Sequence, residues 1–490
     1  MTHAADWKPS AWKVLLAAGI AGIDGDLLLR GGTWRVGFAI WIAGLIVSVF
    51  VIGGRATTER QLLLAGMALA VFGLVWRDSE MLYAIDMLSL LAVGALTIWH
   101  GTGRSLASLS IVETARAGII AGLNTAFGAA GVLSEVAARP ETTDTRKATL
   151  KSLMIGAALA AVPLLVVTGL LAASDKVFEN LMDRVGDALF RDGLSHVIIA
   201  GLLAWVGAGW LRAALGAPIG TSVPEPGTPK LRFMSIAVGL YSLLALLATY
   251  LATQVRVLFG GAEFLRTTQG VTVAEYAREG FFQLIVASGV VLVTLVVAEW
   301  LLAPDDKDGL RHYRRVSSIL LALVMTLLVS AAARIWLYMN EFGLSVDRGF
   351  ATAGIIWVGA TLIAFALTTL RGRPTRFMPS AIGVAVAWVT MVNVANPEAL
   401  VVRVNVSRAE AGKSFDTTYH SKLSADALPT LLKTASRLGP AQCGVLAAEL
   451  RQRWQERLKD PNNGGIDWRG RNLPLRTARA WWSAGATACE

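Results

Sequence analysis

The side chains that could do chemistry in this chain gather at the ends of apolar runs. The stretch 275–348 opens with EYAREGFFQ (275–283) and closes with RIWLYMNEFGLSVDR (334–348). Its first end brings Tyr276, Arg278, Glu279 and Gln283, and its second brings Arg334, Tyr338, Glu341 and Arg348. Arg334, Tyr338 and Glu341 fall at i, i+4 and i+7, on one face of a helix. Guanidinium, phenol and carboxylate groups in that mixture suit charge-assisted binding of an anionic head group or another polar ligand. The plainer reading of Arg334 is a snorkelling arginine with a neighbouring Glu. Asp24 and Asp26, and Asn393 and Asn396, are secondary candidates, because polar groups at the ends of apolar runs need partners.

Complete catalytic motifs are absent. His3, His100, His196, His312 and His420 form no i, i+4 pair and no zincin pattern, so neither a metal site nor a cofactor is expected. There is no P-loop, no G-x-S-x-G and no C-x-x-C. The 48 glycines read first as packing positions of membrane helices. Glu299 beside Trp300 and His100 beside Trp99 read as interfacial markers. Asp86 reads as a helix partner or a water-facing group. No ladder of carboxylates crosses the chain as a proton relay would need.

The elements that must position these residues follow from composition. Hydrophobic residues make up 54% and charged residues 16%, too few charges to cover a soluble surface. The expected fold is all-α and integral to the membrane. At about 20 apolar residues per crossing, eleven spans are expected: 11–29, 33–53, 61–76, 81–99, 148–173, 194–215, 232–255, 278–302, 316–338, 350–370 and 377–396. The first is interrupted by Asp24 and Asp26 and reads as an uncleaved anchor. The net charge of +10 comes from short clusters between spans rather than a stripe, which points to lipid and away from nucleic acid.

With the N-terminus cytoplasmic, the inner loops carry about twice as many Lys and Arg as the outer ones, with RHYRR (311–315) and RGRPTR (371–376) inside. That orientation sends 24–26, 276–283, 334–348 and 393–396 to the same outer leaflet. From Arg315 to Arg334 is about 28 Å at 1.5 Å per residue, so Arg334 belongs near that leaflet. Segments 105–136 and 175–191 have the apolar spacing of helices lying on the membrane or packed on spans, the second with Ser174 or Asp175 as N-cap.

The expected division is a transmembrane domain over 1–400 and an extracytoplasmic helical domain over 401–490. The tail carries 14 Lys or Arg, amphipathic helices over 424–438 and 441–458, and the tryptophans Trp454, Trp468, Trp481 and Trp482. In an oxidising compartment Cys443 and Cys489 could pair, adding roughly 4 kcal/mol in the chain-entropy model.

Several of these stretches resemble a bacterial family of polytopic membrane proteins known as a domain of unknown function, of the 4153/4173 type. They are LAASDKVF (171–178), EYAREGFFQ (275–283), the 334–348 segment, NPEA (396–399), 405–413 and FDTTYHSKLSADALP (415–429). The resemblance implies an integral membrane protein and supplies no activity. Three functions remain open. The first is a non-enzymatic inner-membrane protein whose outer polar face binds a small-molecule ligand, membrane lipid or extracytoplasmic protein, as a sensor or assembly component. The second is a secondary transporter or permease. The third is a membrane enzyme acting on a lipid-linked substrate, sketched by Asp24, Asp26 and Glu279.

Overall fold

Long apolar runs that must satisfy their own backbone leave helices as the available structure in hydrocarbon. The computed structural model describes residues 10–30, 34–54, 57–137, 156, 160, 164, 167–190, 194–218, 231–264, 281–459 and 468–483. Among these residues the chain is helical and contains no strand, apart from one isolated bridge between Leu231 and Leu302. Nine of the described helices are long and apolar enough to cross a membrane. This is a multi-pass membrane protein.

Seven helices lead into the first half: α1 (Ala11–Leu29), α2 (Val36–Ile52), α3 (Thr58–Trp76), α4 (Glu80–Gly101), α5 (Ile111–Ala137), α6 (Lys176–Phe190) and α7 (Leu194–Ala214). Of the eleven expected spans, α1 and α2 fall outside the nine, α2 being a shorter apolar helix. Most of 148–173 lies outside the described residues. Conversely, α5, expected to lie on the membrane or against spans, has the length and apolar content to cross it. Asp175 caps α6, accepting from the N–H groups of Val177 (2.7 Å) and Phe178 (3.0 Å). Exposed Trp12, Leu16, Ile20, Ile23 and Leu27 make a continuous apolar stripe along α1, opposite buried Val14, Ala18, Ala21 and Gly22. Such a stripe suits lipid rather than water.

The chain clusters into two units. Unit 1 comprises Met1–Leu106, Val112–Val223 and Gln455–Arg476. Its packing depends on small residues: Gly22 of α1 lies against the backbone of Ala200 on α7, and Gly128 of α5 against Gly209 of α7. The indole of Trp41 donates to the Ala21 carbonyl (2.7 Å), fixing α2 to α1.

Unit 2 comprises Ala107–Ile111, Pro224–Trp454 and Thr477–Glu490. Its spans are α8 (Phe233–Phe264), α9 (Phe281–Leu301), α10 (Lys307–Phe342), α11 (Val346–Thr368) and α12 (Phe377–Ala395). Leu240, Leu295, Leu320, Val324, Leu327, Leu362 and Phe365 form the core. With 36 residues, α10 is about 54 Å long and overruns a hydrocarbon layer of about 30 Å. Beyond α12 come α13 (Pro397–Glu410), α14 (Thr417–Ser421), α15 (Leu428–Thr434), α16 (Pro440–Lys459) and α17 (Leu473–Ser483). Of the expected helix over 424–438, only α15 and a 3-10 turn at Ala435–Arg437 form. Ser424 and Asp426 shape the turn before it, where the Asp426 N–H donates to the Ser424 hydroxyl (3.2 Å).

Candidate functional site

In unit 2 the polar end of α10 is organised by the tail. Helix α10 stops at Gly343, whose φ of 79° lies in the region that favours glycine. The last carbonyls of a helix carry partial negative charge and lack intrahelical partners. Arg408 of α13 satisfies two of them, donating to the carbonyls of Asn340 (2.7 Å) and Glu341 (3.0 Å). Three residues back, Asn405 grips the turn from both sides. Its Oδ1 accepts from the Leu344 N–H (2.9 Å) and its Nδ2 donates to the Leu344 carbonyl (2.7 Å).

The same amide lies 3.1 Å from Nε2 of His420, while Nδ1 of His420 reaches the Asp416 carbonyl at 2.6 Å. These partners fix a neutral imidazole with its proton on Nδ1. Burial agrees, holding the His420 pKa below its ordinary value despite the opposing pull of Asp416. Phe415 stacks on the ring at 4.1 Å. Tyr419 accepts the Val346 N–H (2.8 Å), and burial raises its phenol pKa. Asn396, at a left-handed φ of 49°, caps α13 through the Ala399 N–H (3.1 Å) and donates to the Asp426 carbonyl (3.1 Å). Glu398 accepts the Ser424 N–H at 2.6 Å.

Against this frame the expected site residues divide. Tyr276, Arg278 and Glu279 lie outside the described residues, and Gln283 is exposed near the start of α9. Arg334 is only 7% exposed and continues the buried α10 stripe of Leu320, Val324, Leu327 and Ala331. It faces the bundle, so the snorkelling reading does not hold. Tyr338 and Arg348 come together, the guanidinium 4.2 Å from the ring centroid, and Arg348 Nη1 also donates to the Gly343 carbonyl (2.5 Å). Glu341 keeps an exposed side chain. Asn393 is buried and donates to the Val389 carbonyl (3.1 Å). Cys443 is buried on α16, and Cys489 lies outside the described residues.

The sequence profile of a family described as Domain of unknown function (DUF4153) matches residues 62–434. The chain belongs to this family. No curated protein and no solved structure matches it. The DUF4153 region contains the whole Asn405–Arg408–His420 clamp together with the hairpin tip that it holds. It stops short of α16 and α17, and α1 and α2 precede it.

Unit 1 has two polar centres of its own, each joining the DUF4153 region to residues outside it. Asp24 is exposed and takes no part in them, but Asp26 is buried beneath α7. Its Oδ1 accepts from Arg30 Nε (3.1 Å) and Nη2 (2.8 Å), and its Oδ2 lies 2.5 Å from His196 Nδ1. Arg30 also donates to the Ser195 hydroxyl (3.0 Å). The His196 side chain is 53% exposed. The second centre is Asp78, in the turn between α3 and α4, with a side chain 0% exposed. Arg457 reaches it at 2.8 and 2.9 Å, Asn472 Nδ2 at 2.8 Å and Arg35 at 3.5 Å. A carboxylate so buried requires this many donors.

Proposed function

We propose that this DUF4153 protein is a non-enzymatic sensor or assembly component of the bacterial cytoplasmic membrane. In this reading the N-terminus is cytoplasmic, and residues 401–490 form an extracytoplasmic domain held on the ends of the spans. The outward polar end then binds a small-molecule ligand, a lipid or a partner protein. One observation carries the reading: in each unit, side chains of the C-terminal segment bind the turn at the end of a span. Asn405 and Arg408 hold the end of α10, and Arg457 and Asn472 hold the α3–α4 turn. A tail gripped in this way registers any movement of those spans. The orientation is supported by the basic first turns of α10 (311–315) and the 371–376 loop lying together, since a Cβ on Gly372 would fall 3.1 Å from Arg314 Nη2. A Cys443–Cys489 disulfide belongs to the same reading.

Two measurements test it. An alkaline phosphatase fusion after Ala399 should be active, and a silent fusion with an active one in the 371–376 loop would reverse the orientation. Arg408→Ala should insert normally yet fail to rescue whatever phenotype deletion of the gene produces.

A second reading, a membrane enzyme acting on a lipid-linked substrate, draws on the Asp26–His196 pair. A carboxylate on Nδ1 with Nε2 left toward solvent is the arrangement of an oriented general base. The two readings separate cleanly: His196→Gln abolishes rescue under the enzyme reading while Arg408→Ala retains it, and the sensor reading gives the reverse.

A further inference from the structure

At the opposite end of unit 2 from the Asn405 clamp lies a cleft of about 130 Å³ where α9 and α11 end and α12 begins. Leu109, Ile111, Val296 and Met378 give it an apolar floor, and Glu299, Trp300 and Thr375 give it a polar mouth. That space exceeds what a single water needs and admits part of a lipid head group. Because its walls are the ends of spans, it lies at head-group depth.

Two features of the mouth point to a zwitterion. Glu299 is half-buried and makes no side-chain hydrogen bond or ion pair with the described residues; the charge of Arg314 acts on it from a distance. A half-buried carboxylate without a partner favours a cation, and the adjoining indole of Trp300 offers an aromatic face for one. On the other lip, Arg373 and Arg376 bracket the lining residues Pro374 and Thr375. Both arginines are exposed, and their side chains are free of protein partners among the described residues. Fixed forks of that kind match a phosphate. A surface of arginines alone would favour any anionic lipid, but the carboxylate inside the mouth disfavours a purely anionic head group.

We propose that this cleft is a binding site for an aminophospholipid head group, with the ammonium at Glu299 and Trp300 and the phosphate at Arg373 and Arg376. The test uses the purified, delipidated full-length protein. It is offered equal amounts of phosphatidylethanolamine and phosphatidylglycerol with identical acyl chains, and native mass spectrometry reads the retained ratio. The wild type should favour the ethanolamine lipid. Glu299→Gln should lower that ratio about tenfold, the worth of one charged hydrogen bond. The exposed double variant Arg373→Ala/Arg376→Ala should lower retention of both lipids and leave the ratio unchanged. An unbiased or glycerol-favouring wild type overturns the proposal. So does a Glu299→Gln ratio equal to wild type, or full retention by the arginine variant.

Discussion

Asn405→Ala is the substitution that tests the clamp most directly. The amide makes both hydrogen bonds of the Leu344 backbone and faces Nε2 of His420. Leu344 is 9% exposed and His420 2%, so water does not readily replace what Ala removes. Three groups lose a partner at a cost of about 1–3 kcal/mol each. Even the low end gives a loss of about 3 kcal/mol, a sizeable share of a typical 5–15 kcal/mol. For a unit of 150–250 residues that corresponds to roughly 6–12 °C in Tm. The assay is thermal unfolding in mild detergent, paired with limited proteolysis of the 401–459 segment. Cleavage in that segment should accelerate before the spans unfold. A cycle with His420→Ala adds a stricter check, because the two residues touch and their effects should fall short of additive by at least about 0.5 kcal/mol. An Asn405→Ala protein with unchanged Tm and unchanged cleavage would refute the claim that the tail is fastened here.

Three further outcomes follow from the same contacts. Gly343→Ala should cost about 1–3 kcal/mol from its positive φ and more from the clash, since its Cβ would sit 2.6 Å from Asn405 Oδ1; the same melting assay reads it. The His420 pKa is depressed in the fold, so its contribution to stability is present above the unfolded value near 6.5 and is lost as pH falls through the folded value. Tm should therefore drop as pH falls below about 6.5, and His420→Gln should flatten that part of the profile. Asp78→Asn leaves the guanidinium groups of Arg457 and Arg35 without their counter-charge. Breaking a buried ion pair costs about 3–5 kcal/mol, and protease protection of 455–476 should fall with it.

Hydropathy made the helices of the bundle legible because a 20-residue apolar run has few alternatives in lipid. Where length is ambiguous, hydropathy decides less. The segment that becomes α5 mixes Glu113, Arg116, Asn124 and Glu135 into apolar residues, which blurs surface and span. In the stretch 334–348, periodicity alone does not reveal which way Arg334 turns. Arg334 sits on the same stripe as Leu320 and Ala331, and a stripe read from the leucines alone would already have turned it inward.

The partners of that stretch were hidden by sequence distance. Asn405 looks like part of a glycosylation triplet, and His420 looks like a solitary histidine. They acquire meaning only 61 and 15 residues away, at Leu344 and at Asn405 itself. Asp78 and Arg457 are separated by 379 positions, and no local pattern marks either. The one available signal is energetic. An Asp in a three-residue turn between apolar helices, beside an Arg, must find donors if the turn is covered. A basic tail with no apolar span is the nearest supply of them. By that argument Arg408 and Arg457, two of the 14 basic residues of the tail, are more than a solvated surface: they act as bolts at the ends of spans.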